Sequence, residues 1–227
     1  MEKIDIIKSI SERTGGDIYL GVVGAVRTGK STFIKKFIEN LVVPNIEDEY
    51  ERKRCLDEIP QTAQGKTIMT IEPKFVPSTA AKIKVEEFET NIKLVDCVGY
   101  VIPAAKGYED EMGEPRMVKT PWYDEDIPFV EAAEIGTEKV IRDHSTIGIV
   151  VTTDGSIGDI TRNNYIEAEN EVISELKEIG KPFIVLLNSA HPTLPETERL
   201  AEKLKEEHNV PVIPISAETM NEKDVYN

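Results

Sequence analysis

An uninterrupted apolar run, IYLGVVG at 18–24, passes without a break into AVRTGKS at 25–31 and then into TFIKKFIENLV, whose apolar residues recur at helical spacing. An apolar run of that length bounded by a glycine turn is a buried strand, so the order is strand, glycine-rich turn, helix. In this setting Gly24 to Ser31 match G-x-x-x-x-G-K-[ST], the pattern of a phosphate-binding loop. Gly24 and Gly29 let the backbone wrap a phosphate, so that N–H groups of Ala25, Val26, Arg27 and Thr28 and the helix N-terminus face the anion. Lys30 then neutralises the β- and γ-phosphates, Ser31 offers its hydroxyl to Mg²⁺, and Thr32 bonds toward the α-phosphate side. A nucleoside triphosphate with magnesium is the expected ligand, and hydrolysis the expected reaction.

The rest of the chain fits an α/β domain built round that unit. KIKVEEF (82–88) and NIKLVDCV (91–98) alternate over short stretches and predict an antiparallel hairpin turning at Glu89-Thr90. TIGIVVTT (146–153), PFIVLLNS (182–189) and VPVIPIS (210–216) read as buried strands, with helical patterns at 163–180 and 195–207 between them. Such alternation predicts a mostly parallel sheet with helices on both faces and the hairpin strand as its one antiparallel edge. Residues 2–13 predict a short amphipathic helix stopped by Gly15-Gly16. We expect a single P-loop domain over 1–227, with 44–81 and an insert at about 100–131 longer than compact connections require. ETMNEKDVYN (218–227) falls where a closing helix would start, so the chain reads as the front part of something longer.

Charge and cysteine usage narrow the setting. The formal net charge is −15 and no Lys/Arg stripe occurs, which argues against nucleic acid or anionic lipid as a partner. Cys55 and Cys97 lack metal-type spacing and point to a reducing compartment. With no signal-peptide core and no run of about 18 apolar residues, a cytosolic chain without direct membrane insertion is expected.

LVDCVGY (94–100) is an apolar strand ending in D-x-x-G. Asp96 there can hold Mg²⁺ through water, and Gly99 can give its N–H to the γ-phosphate. In GKTIMTIEPKF (65–75), either Thr67 or Thr70 completes the magnesium shell; Thr70-Ile71-Glu72 resembles the switch I triplet of small GTPases and favours Thr70. Guanine-specific relatives end the strand read here as VLLNS in Asn-Lys-x-Asp, whereas this chain has Asn188, Ser189, Ala190 and His191. Without that carboxylate the guanine donors are left unpaired, so ATP is the expected substrate. Asn188 either lines the base pocket or ties loops together, and Ser216-Ala217 resembles the base-proximal Ser-Ala loop of the same superfamily. Tyr100 stands where small GTPases carry the water-orienting Gln, so catalysis must differ; Arg27 is a candidate to stabilise transition-state charge. His144 and His208 are read as structural.

Through TGGDIYLGVVGAVRTGKSTFIKKF, GKTIMTIEPKFVP, LVDCVGY followed by KGYEDE, TPWY and HSTIGIVVTTDGSIGDI, nearly all of the chain resembles the N-terminal part of the stage IV sporulation protein A family. The resemblance implies a fold related to translation-factor GTPases, hydrolysis of ATP, and use of that energy to polymerise into the basement layer of the spore coat. It further implies a site on the mother-cell side of the forespore surface. A small amphipathic membrane-anchoring peptide and other coat proteins would be partners, through C-terminal regions. By position it gives Lys30 to phosphate binding, Thr70 to γ-phosphate sensing and Asp96 to the magnesium side, and it assigns self-association to the 100–131 insert. A GTPase switch and a nucleotide-binding scaffold with negligible turnover are the competing readings.

Overall fold

The computed structural model describes residues 17–59, 73–85, 88–110 and 112–226. Strand β1, Asp17–Val23, is apolar on both faces because it lies inside a six-stranded sheet. Leu20 and Val22 point to one buried layer, and Val23 to the other. After the turn come α1, Lys30–Phe37, a wider π turn at Ile38–Val42, a 3-10 turn at Val43–Asn45, and α2, Glu49–Asp57. Asp48 starts α2 by accepting the Glu51 N–H at 2.8 Å, so part of the segment expected to be loop is a capped helix.

β2, Lys74–Val85, and β3, Phe88–Asp96, form the expected antiparallel pair. The turn is not at Glu89-Thr90, however: these residues lie inside β3, opposite Lys84 and Ile83. In this register Ile83, Thr90 and Ile92 are buried, and Lys82 reaches Glu89 at 2.7 Å. Within the 100–131 insert, β4, Met117–Thr120, and β5, Tyr123–Pro128, make a small hairpin of their own, which feeds α3, Phe129–His144.

β6, Ile147–Thr153, α4, Ile166–Ile179, β7, Phe183–Asn188, α5, Pro195–His208, and β8, Val212–Ile215, follow as strand–helix alternation predicted, and the short α6, Glu222–Tyr226, comes last. The sheet order is β2-β3-β1-β6-β7-β8, parallel except at the β2 edge. Phe33, Ile34 and Ile38 cover one face over Leu94, Ile149 and Val151. Val140 and Ile141 of α3 with Val172, Ile173 and Leu176 of α4 cover the other over Val95 and Val150. Among the described residues no helix is long and apolar enough to cross a membrane. The amphipathic helix expected at 2–13 lies outside the described residues.

Candidate nucleotide site

The five parallel strands end on one edge of the sheet, where ligands of open α/β sheets bind. There the loop from Gly24 is laced to the loop after β3: the Tyr100 N–H donates to Gly24 O at 3.2 Å and the Val26 N–H to Tyr100 O at 2.8 Å. The lacing needs a glycine at position 99. Its φ is +88°, and a Cβ there would run into Gly24 O and the Lys30 ammonium. The loop residue Arg27 has φ +63° and an exposed side chain, while Thr28 is buried and donates from Oγ1 to Ala25 O at 3.0 Å. Gly29 precedes α1 in the left-handed region with no side-chain cap. The first N–H groups of α1 therefore remain as donors for an anion, with Ser31 and Thr32 half-buried on that turn.

Lys30 is 5% exposed and its Nζ donates to Ala25 O at 2.7 Å and Gly24 O at 3.2 Å. Burial lowers its pKa, opposed by the nearby Cys97 and Asp96. Asp96, the last residue of β3, accepts the Ser31 hydroxyl on Oδ2 at 2.9 Å. Burial raises its pKa, opposed by Lys30 and by the Ser31 hydrogen bond. Its Oδ1 is buried without a hydrogen-bond partner, an arrangement that ordinarily costs about 1–3 kcal/mol. The donor set fits Mg²⁺: a hydroxyl and a carboxylate oxygen in contact, with a second oxygen unsatisfied. The Lys30 charge likewise fits a phosphate, because an anion there offsets the cost of burying the ammonium.

The remaining candidates divide. Thr67 and Thr70 lie outside the described residues. Asn188 is buried and ties loops: its Nδ2 donates to Thr28 O at 2.9 Å and its Oδ1 accepts the Ala217 N–H at 3.0 Å. Ser216 is half-buried and accepts the Thr219 N–H at 3.4 Å, while Ala217 is fully buried. The Tyr100 ring is buried in the layer beneath the sheet and its hydroxyl donates to Glu175 of α4, away from the phosphate loop. Burial pushes the Cys97 thiol up to about 11, and it donates to Val22 O at 3.4 Å, which makes it inert packing. His208 is buried near the end of α5, and His144 is exposed with its ring edge-on to Phe75 at 5.3 Å. A group the motifs did not single out sits beside Asn188: Asp154, Ser156, Ser189 and Thr197 share hydrogen bonds. Its one sequence signal is Asp154-Gly155-Ser156 directly after a strand, the pattern of an Asx turn.

A parallel sheet with a strand–loop–helix phosphate cradle, a buried lysine and a facing Ser–Asp pair defines a P-loop nucleoside-triphosphate hydrolase domain. The family model described as the ATPase domain of stage IV sporulation protein A matches residues 1–227, and the chain belongs to that family as its ATPase domain. It is 65% identical over 228 residues to stage IV sporulation protein A of Bacillus anthracis, covering 100% of this chain and 46% of the relative. The protein of that name from Bacillus subtilis is 65% identical over 226 residues, 99% of this chain and 46% of the relative. The Clostridioides difficile protein is 54% identical over 222 residues, 97% and 45% respectively. The chain thus spans less than half the length of these relatives.

Proposed function

We propose that this domain hydrolyses ATP in a magnesium-dependent reaction whose energy drives self-assembly of the basement layer of the spore coat. The observation that carries the magnesium dependence is the Ser31–Asp96 pair with its unsatisfied carboxylate oxygen beside Lys30. Ser31 and Asp96 would hold Mg²⁺, with Thr70 the residue expected to complete its shell, and the ion would supply positive charge to the β- and γ-phosphates. Around it the chain positions the substrate. The N–H groups of the loop from Arg27 to Thr32 hold the phosphates, the expected Val26 N–H being taken instead by Tyr100 O; Lys30 neutralises them, and the Gly99 N–H faces the γ-phosphate. A water oxygen bonds to the γ-phosphorus as the bond to the β–γ bridging oxygen breaks, the water's proton passing to a phosphate oxygen or to solvent, giving ADP and inorganic phosphate. Arg27, at the loop's outer bend, is the side chain that adds positive charge as the transition state forms.

Adenine is favoured because Asn188, Ser189, Ala190 and His191 carry no carboxylate to meet the guanine N1–H and amino group. The sporulation role is supported by the names of the relatives. We place the protein on the mother-cell side of the forespore surface, anchored through the rest of the protein by a small amphipathic peptide and joined there by other coat proteins. The 100–131 insert contributes to self-association; Met112 at 90%, Met117 at 52% and Tyr123 at 48% exposure support that reading. Deleting 104–126 from the full-length protein abolishes nucleotide-driven assembly, measured by sedimentation, if the insert has this role; unchanged assembly removes it.

Phosphate release from the full-length protein with Mg-ATP or Mg-GTP, beside Lys30→Ala, tests the enzyme reading. We expect release with ATP and a loss of at least about a hundredfold in the variant. Preference for GTP would point instead to a switch, and binding without release to a scaffold.

A further inference from the structure

The sheet order decides which way a bound nucleotide runs. Asp96 ends β3 on one flank of β1, and β6, β7 and β8 lie on the other. A triphosphate anchored at Lys30 with its γ end toward Asp96 therefore leads its base toward the loops after β6, β7 and β8. Those loops are cross-tied. Inside, Asn188 joins the phosphate loop to the loop after β8 through Thr28 O and the Ala217 N–H. A Cβ at Gly29 would run into the Asn188 amide, so this joint sits directly against the phosphate cradle.

Outside Asn188 a second layer is organised by Asp154. Its Oδ1 accepts the Ser156 hydroxyl at 2.6 Å and the Ser156 N–H at 2.9 Å, and its Oδ2 accepts the Thr197 hydroxyl at 3.2 Å from the first turn of α5. An ionised carboxylate only accepts, so the Ser156 hydroxyl must spend its proton on Asp154. That leaves the Ser156 oxygen to receive the Ala190 N–H at 2.8 Å. In the same cluster the buried Ser189 hydroxyl receives the His191 N–H at 2.9 Å, and lies 3.3 Å from Ser156 Oγ and 3.5 Å from Thr197 Oγ1. Burial works to raise the Asp154 pKa, but the surrounding hydroxyls and the Ser156 N–H outweigh it and hold the group below its ordinary value.

We infer that Asp154 is a positioning residue for base selection: by polarising the Ser156 and Ser189 hydroxyls it fixes the backbone of residues 188–191 as an adenine-accepting surface. The Asp154 carboxylate beside that surface is thereby committed to hydroxyls and offers nothing to guanine. The inference rests on the ATPase reading above and adds the residue that sets its selectivity.

The test uses the full-length protein, titrated with fluorescent ATP and GTP analogues, with turnover measured at saturating Mg-ATP. Asp154→Ala is expected to weaken ATP binding about tenfold and to narrow the ATP-over-GTP ratio severalfold, with kcat at saturation within about twofold. Asp154→Asn, which keeps an acceptor for Ser156, restores most of the affinity, and Ser156→Ala reproduces the narrowing. Were Asp154→Ala to fold poorly, Ser156→Ala and Thr197→Val carry the same expectation. An ATP-to-GTP ratio unchanged in folded Asp154→Ala or Ser156→Ala overturns the inference, as does a fall in kcat and stability with selectivity intact. A wild-type protein that does not prefer ATP overturns the nucleotide reading itself, an outcome separable from these.

Discussion

Tyr100 follows Gly99 where small GTPases place the residue that orients water, yet its backbone and side chain have separate tasks. The backbone clips the loop after β3 onto the phosphate loop, while the hydroxyl is held by Glu175 on α4. Burial, then the Glu175 hydrogen bond, pushes the phenol far above its ordinary value, so at neutral pH it is a neutral donor turned away from the phosphates. Tyr100→Phe is therefore expected to keep Mg-ATP turnover within about twofold and to cost about 1 kcal/mol of stability, read by urea denaturation. A loss of turnover beyond tenfold with unchanged stability would make the hydroxyl a participant in the reaction. At the same scale, Lys30 and Asp96 differ from an ordinary surface pair because burial disfavours the charge on each, and each is partly offset by the other.

The stretch between β6 and α4 is held from below by a single ion pair. Arg162 donates to both Glu169 oxygens, at 2.7 and 2.5 Å, and also to Thr152 Oγ1 at 3.1 Å and Thr153 O at 3.3 Å. The Glu169 side chain is 2% exposed and that of Arg162 17%, so removing one partner strands a buried charge. Glu169→Ala is expected to cost about 3–5 kcal/mol in chemical denaturation, and Arg162→Met with Glu169→Leu to recover most of it. A loss below about 1 kcal/mol would show that water reaches the guanidinium. Elements differed in how plainly the chain announced them. β6 and β7 were legible because both faces are buried and the apolar runs are unbroken, and the phosphate loop because its glycines, lysine and serine are contiguous. β5 was not, because its first four residues are exposed and alternate with nothing. The hairpin turn was misplaced because no glycine or proline marks a turn anywhere between Lys82 and Val98, so the residues that end one strand and start the next look alike. The Asp154 group is scattered over positions 154, 156, 189 and 197, and only the β6–β7 register, with Thr153 opposite Asn188, brings it together.

Across the whole molecule the charge of −15 is not evenly borne. Glu134 of α3 has its pKa raised by burial and then by Glu171 and Glu131, and Glu175 of α4 is raised by burial, with Glu138 and Glu171 adding to it. A carboxyl raised in the folded state binds more protons folded than unfolded. Its folded-state cost is absent below the ordinary Glu value, grows from there up to the raised one, and is complete above it. Asp17, lowered by Asn91 and Tyr19, and Asp154 act oppositely and lose their contribution as pH falls below the usual carboxylate range. Stability should accordingly be highest near the ordinary carboxylate range, with Tm falling as pH rises from the usual Glu value through the raised ones and falling again below about 4. Glu134→Gln isolates one contributor, since it removes the charge facing Glu171 while keeping the side chain's size. Its Tm is expected to exceed the wild type's by about 1–2 °C at pH 8, with the two curves converging near pH 4, where wild-type Glu134 is itself protonated. Calorimetry of both proteins across that range decides the matter: an offset that persists unchanged at pH 4 would trace the gain to packing and not to the repulsion between α3 and α4.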